Sequence, residues 1–244
     1  MSTVMAGRLL ATMVAGMVMG LAGTAQAAEI HGTPGNDRIH GTRGADVIDG
    51  ATGDDRIGAG RGPDTITGGE GADRIWGRWG ADRLFGGPGD DRLWGGVGND
   101  QSWGEDGNDL MGGGHGADKQ YGGAGNDTIY AGRGRDESWG EAGDDTLWAL
   151  ARRDVHGRND TLGDTLHGGE GNDTFKTRDG EADVIDCGPG VDTALLDFKD
   201  VIADATPQNA NGSCEVVNRQ PRAKKGENET EDATPKEPSN VSGT

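Results

Sequence analysis

The sequence predicts an all-β solenoid in which short strands stack into two facing sheets, with 18 residues to each coil. Three observations lead there. Thirteen aspartates recur every nine residues: Asp37, Asp46, Asp55, Asp64, Asp73, Asp82, Asp91, Asp100, Asp109, Asp118, Asp127, Asp136 and Asp145. A glycine stands two residues before each one, from Gly35 to Gly143. Two residues after each aspartate the side chain is usually branched and apolar. A globular core does not hold one period for so long, so the chain is an array of one repeated unit, and that unit sets a carboxylate beside a glycine turn. A stack of cation sites is the first expectation.

Gly68-Gly69-Glu70-Gly71-Ala72-Asp73-Arg74-Ile75-Trp76 is a clean example of the unit. Its first six residues are turn chemistry, because glycine accepts positive φ and close backbone approach. Its last three form a short strand whose middle side chain points to one face and whose neighbours point to the other. The inward series is then Ile39, Ile48, Ile57, Ile66, Ile75, Leu84, Leu93, Met111, Ile129 and Leu147. One sheet of three-residue strands cannot bury such a row, whereas two facing sheets can. Two spacings support a coil of two nonapeptides. The polar exceptions Ser102, Gln120 and Ser138 are 18 apart, and so are Arg38, Arg56, Arg74 and Arg92.

Hydrophobic residues make up 32% of the chain and glycine takes 48 positions, which argues against a compact core of ordinary shape. The formal charge of −19 disfavours nucleic acid and anionic membrane and favours cations.

Four segments follow along the chain. Residues 1–27 read as a secretory signal peptide: Arg8, an apolar run over 9–23, then Ala25-Gln26-Ala27 as a small-x-small cleavage pattern. The mature chain has no other run long enough to span a bilayer, and a secreted, extracellular location is expected. Residues 31–148 are the regular array. Residues 149–217 are irregular and end in a cap. Their first part, 149–166, slips the period by one residue and leaves sites at Asp154 and Asp164 in doubt, whereas Asp173 sits in a restored repeat. Residues 218–244 read as a disordered tail. The even cysteine count in a secreted chain predicts a Cys187–Cys214 disulfide that closes the cap.

The nonapeptide resembles the glycine-rich calcium-binding repeat GGxGxDxUx of RTX (hemolysin-type) proteins, with full periodicity over 31–148 and partial agreement over 157–195. The resemblance implies a parallel β-roll that binds multiple Ca2+ ions between successive turns. It divides the aspartates into two ladders, Asp37, Asp55, Asp73, Asp91, Asp109, Asp127 and Asp145 along one edge and Asp46, Asp64, Asp82, Asp100, Asp118 and Asp136 along the other. Asp173 is a further expected ligand. Two carboxylates about 5 Å apart repel by roughly 1–3 kcal/mol between the dielectric of water and that of a protein surface. Bound cations reverse that sign, so binding is expected to drive folding.

Aromatic residues also recur at 18: Phe85, Trp103, Tyr121 and Trp139, then Trp76 with Trp94, and Tyr130 with Trp148. On alternating strands they point outward. Two readings stay open: ring packing along the sheet, or a contact surface for a glycan or cell-surface partner through Trp103, Tyr121 and Trp139. No HExxH or GxSxG occurs, and His31, His40, His115, His156 and His167 read as exposed turn residues, so no catalytic residue and no enzyme activity are expected. The function expected is calcium-ion binding without catalysis. The alternative is an extracellular adhesin or glycan-binding module in which calcium is structural.

Overall fold

Glycine turn and short strand alternate along the whole described chain, and no helix interrupts them among the described residues. The computed structural model describes residues 9–11, 18–19, 27–149, 162–177, 179–205, 209 and 212–220, the first two segments as backbone only. Successive strands go to opposite sheets. One sheet stacks Ala28–His31, Val47–Asp49, Thr65–Thr67, Arg83–Pro88, Gln101–Asp106, Lys119–Ala124, Glu137–Ala142, Thr165–Glu170, Val184–Asp186 and Val201–Ile202. The other stacks Arg38–His40, Arg56–Arg61, Arg74–Trp79, Arg92–Val97, Leu110–His115, Thr128–Arg133, Thr146–Trp148, Thr174–Thr177, Thr193–Leu196 and Val216–Arg219. All pairings are parallel. Leu9–Ala11 and Val18–Met19 add one strand to each sheet, making both eleven-stranded. The fold is a parallel β-solenoid of the roll type.

The register confirms the 18-residue coil: Ile57 pairs with Ile75, Ile75 with Leu93, and Ser102 with Gln120. The arginine column Arg38, Arg56, Arg74 and Arg92 lies in one sheet, and the polar series Ser102, Gln120 and Ser138 in the other. Every residue of the predicted inward series is at most 1% exposed. Each aliphatic side chain so buried contributes about 2 kcal/mol. The core is thus one row of side chains per sheet, with the rows meeting face to face.

The row weakens at one place. Ser102, Gln120 and Ser138 are buried, and Ser138 Oγ donates to Gln120 Oε1 at 3.2 Å. On the outer face of these same strands lies the longest aromatic column. Phe85, Trp103, Tyr121, Trp139 and His167 stack with centroids 4.5–5.6 Å apart and interplanar angles of 5–7°. Stacked pairs contribute about 0.5–1.5 kcal/mol each beyond their burial, so the outer column offsets what the polar inner row does not supply.

Beyond Ala149 the even spacing is interrupted and the stack then resumes. Glu137 pairs with Thr165 and Thr146 with Thr174, an offset of 28 where 18 is the rule. The chain carries ten extra residues there, and the stack resumes without losing register. Residues 150–161, with Asp154 and His156, lie outside the described residues. The expected leader over 1–27 and the expected tail also lie largely outside them, although Asn218 and Arg219 belong to the last strand. His31, His40, His115 and His167 are strand residues, His31 and His115 of them exposed. His167 closes the aromatic column and lies 3.3 Å from the Asp186 carboxylate.

The Cys187–Cys214 disulfide is present, with its Cα atoms 5.3 Å apart. It ties Cys187, just after the strand Val184–Asp186, to the segment that leads into the last strand.

Candidate metal centre

Each turn packs backbone against backbone. Gly71 has φ +134°, and a Cβ there would lie 2.3 Å from the carbonyl oxygen of Gly53 in the preceding coil. A Cβ on Gly68 would lie 2.3 Å from Asp73 Oδ2 and 2.7 Å from the carbonyl oxygen of Gly86 in the following coil. The same pairing of an aspartate oxygen with a turn carbonyl recurs at Gly86 with Asp91 and Gly104, and at Gly104 with Asp109 and Gly122. At these places glycine leaves open the space that a carboxylate and a carbonyl face together, and Ala59 and Ala131 stand at the same place before Asp64 and Asp136.

The aspartates form two unbroken ladders along the edges of the roll. In each, the backbone N–H of one aspartate donates to Oδ1 of the aspartate one coil later. The distance is 2.7 Å from Asp37 to Asp55, Asp55 to Asp73, Asp73 to Asp91, Asp91 to Asp109 and Asp109 to Asp127. On the other edge it is 2.7 or 2.8 Å from Asp46 through Asp64, Asp82, Asp100 and Asp118 to Asp136. Every one of these side chains is at most 5% exposed.

The second carboxylate oxygen is treated differently. Oδ2 of Asp55, Asp64, Asp73, Asp82, Asp91, Asp100, Asp109, Asp118, Asp127, Asp145 and Asp173 is buried and accepts no hydrogen bond among the described residues. A buried carboxylate oxygen left so is costly unless a cation meets it. Asp37 and Asp46 differ from the others. Thr33 donates its N–H and hydroxyl to Asp37 Oδ2 at 2.5 and 2.9 Å, and Thr42 donates to Asp46 Oδ2 and Oδ1 at 2.6 and 2.9 Å. The ladders therefore begin with two carboxylates already satisfied by threonine.

Burial lifts the ladder acids above the ordinary carboxylate value of 3.8. It pushes Asp64, Asp91 and Asp127 up to about 8, against the opposing pull of the N–H each accepts and with the added repulsion of ladder neighbours. Asp100, Asp118 and Asp145 rise to about 7 from the same causes. No three His, Cys, Asp or Glu side chains converge on one point among the described residues. A cation at these turns draws on backbone carbonyls as much as on carboxylates, which is how hard cations with six to eight oxygen ligands are held.

Residues 31–147 and 159–194 match the model of the RTX calcium-binding nonapeptide repeat, together more than half of the chain. The chain belongs to the RTX calcium-binding nonapeptide repeat family. No curated protein matches it. RTX repeats bind calcium, and this roll, with its paired ladders, fits a calcium-binding repeat protein.

The RTX ladders extend past the residues expected from sequence. Asp136 N–H donates to Asp164 Oδ1 at 2.9 Å and Asp164 N–H to Asp183 Oδ1 at 2.8 Å. On the opposite edge Asp145 leads to Asp173, Asp173 to Asp192, and Asp192 to Glu215 Oε2, at 2.8–2.9 Å. From the sequence Asp164 stands in doubt, and Asp183 and Asp192 are not among the expected ligands, because the glycine two residues before the aspartate is absent or the spacing has slipped. The retained signal was an aspartate two residues before a strand-central apolar residue: Leu166, Ile185 and Ala194.

The aromatic columns bear on the glycan reading. Sugar rings stack on open aromatic faces, yet Trp103 and Tyr121 are sandwiched between neighbouring rings, and Trp139 lies between Tyr121 and His167. In this column the faces of Trp103, Tyr121 and Trp139 are covered by neighbouring rings.

Proposed function

We propose that this RTX protein is a secreted, non-catalytic calcium-ion-binding protein whose roll assembles as its turns take up calcium. The observation that carries this is the row of buried Oδ2 atoms without a hydrogen-bond donor among the described residues, most of them beside a glycine that leaves room between carboxylate and carbonyl. The residues that would hold the ions are Asp55, Asp64, Asp73, Asp82, Asp91, Asp100, Asp109, Asp118, Asp127, Asp136, Asp145 and Asp173, joined by Asp164, Asp183 and Asp192. Asp37 and Asp46 open the ladders, with Thr33 and Thr42 taking part of the cation's place. When bound, calcium supplies positive charge and a hard centre for oxygen ligands. The protein's own groups do the rest: Oδ1 links each coil to the one before it, the glycine backbone keeps the turn narrow, and the aliphatic rows exclude water between the sheets. Secretion is supported by the leader pattern over 1–27 and by a disulfide of the kind that persists in oxidising compartments.

Far-ultraviolet circular dichroism with calcium and then with chelator tests the coupling. A β-rich spectrum that collapses on chelation is expected, and an identical spectrum in both conditions contradicts it.

A further inference from the structure

The last coils set a carboxylate that the ladders do not explain, Asp179, beside the ladder residue Asp183. In a regular turn, glycine stands four and two residues before the ladder aspartate, as Gly69 and Gly71 do before Asp73. Before Asp183 these places are taken by Asp179 and Glu181. Asp179 is 9% exposed and Asp183 is 0% exposed. Oδ1 of each is engaged, by the Glu181 N–H at 2.8 Å and by the Asp164 N–H at 2.8 Å. Oδ2 of each is buried and accepts no hydrogen bond among the described residues. Asp179 and Asp183 lie within electrostatic reach of one another and of Asp200.

Among the described residues, the nearby bases do not neutralise them. Lys199 Nζ donates to the Gly180 carbonyl, and Arg219 Nη1 donates to the carbonyls of Asp197 and Asp200 at 3.3 and 2.9 Å. Asp200 has its own donors, Thr177 Oγ1 at 2.8 Å and the Asp197 N–H at 2.6 Å. What remains is a pair of buried, donor-free carboxylate oxygens on one turn. A buried charge persists when it is paired or metal-bound.

We propose that Asp179 and Asp183 form a second kind of calcium site, built on side chains and placed in the cap. This rests on the calcium reading of the ladders and extends it to residues outside the nonapeptide pattern. An all-oxygen donor set without imidazole or thiolate selects a hard cation. A regular turn brings one carboxylate, whereas this turn brings two. More ligand charge gives tighter binding, so the cap site fills at lower calcium than the ladder and holds the last coils in place as a template for the rest.

Calcium titration calorimetry on the full chain tests it, with Asp179→Asn beside the parent and Glu70→Gln, an exposed acid in a regular turn, as the charge control. The expected result is loss of the tightest-binding phase in Asp179→Asn, with the weaker ladder phase kept and Glu70→Gln unchanged. Asp179→Glu, which keeps the charge, restores the tight phase. At saturating calcium, Asp179→Asn keeps the parent's β-rich circular dichroism spectrum, because the ladders still fill; loss of that spectrum marks a structural role instead and overturns the proposal. An Asp179→Asn isotherm identical to the parent's overturns this inference while leaving the ladders intact. A parent that takes up no calcium overturns both.

Discussion

Between Arg38 and Trp148 each coil lies on the next at an offset of 18 residues, and the turns offer the same few groups: a glycine backbone, one ladder carboxylate and, except at Ser102, Gln120 and Ser138, one apolar residue inside. After Thr165 the offsets become 19, 17 and 23, glycines give way to Asp179 and Glu181, and a disulfide appears. The first region repeats one weak solution many times, and the same unpartnered oxygen recurs along its inner coils. The last coils use particular solutions: Phe175 and Leu196 in the core, Thr177 and Arg219 on buried polar groups, and Cys187 bound to Cys214. A solenoid's terminal repeats must stop the stack as well as extend it. Regularity therefore marks where one shared ligand does most of the stabilising, and irregularity marks where a disulfide and particular side-chain contacts add to it.

Removing calcium is the strongest way to break this comparison. Hydrogen exchange after chelation is expected to show loss of protection through Arg38–Trp148, with residual protection around Cys187 and Cys214. Equal loss in both regions would erase the distinction.

Changing pH has the next largest effect. The ladder carboxylates have folded-state values near 6 to 8 against 3.8 when unperturbed, so ionisation opposes folding. In chelator the roll keeps its full stability below about pH 4 and loses it as pH rises through 6 to 8. With calcium the order reverses. Protons compete with the cation, so the calcium midpoint of folding falls as pH rises across that window. Circular dichroism titrations at pH 5.5 and 8 check both signs.

Single substitutions sharpen the comparison. Ile75→Ala, at the centre of the regular core, is expected to cost about 2–5 kcal/mol in the calcium-loaded protein, whereas Ser138→Ala in the polar stretch costs well under that. Denaturant melts with calcium present measure both. Replacing Cys187 and Cys214 by serine is expected to cost about 3 kcal/mol, with early exchange confined to the last coils. The smallest effect is Trp139→Ala, about 1–2 kcal/mol from two lost ring contacts, with calcium uptake unchanged by calorimetry.

Much of this was legible in the sequence because a fixed nine-residue period leaves few ways to bury one apolar residue per unit. The inward row, the alternation of sheets and the pairing of Cys187 with Cys214 follow from patterning and composition. The ladder position Asp164 was legible only as a doubtful site, and Asp183 and Asp192 not as ligands, because the ten extra residues before Asp164 hide the register that three-dimensional stacking restores. The roles of Thr33 and Thr42 were hidden for a similar reason. A threonine in place of a glycine reads as degeneracy until its hydroxyl is seen on the carboxylate. The aromatic columns were legible as columns, but only ring geometry distinguishes a stacked face from an open one.

The calcium stoichiometry of the folded chain, measured by titration calorimetry, addresses the central claim most directly. If each donor-free Oδ2 marks a cation shared by stacked turns, uptake is about one ion for each pair of successive turns along both edges. Saturation after one or two ions would show that the ladders are not the binding element.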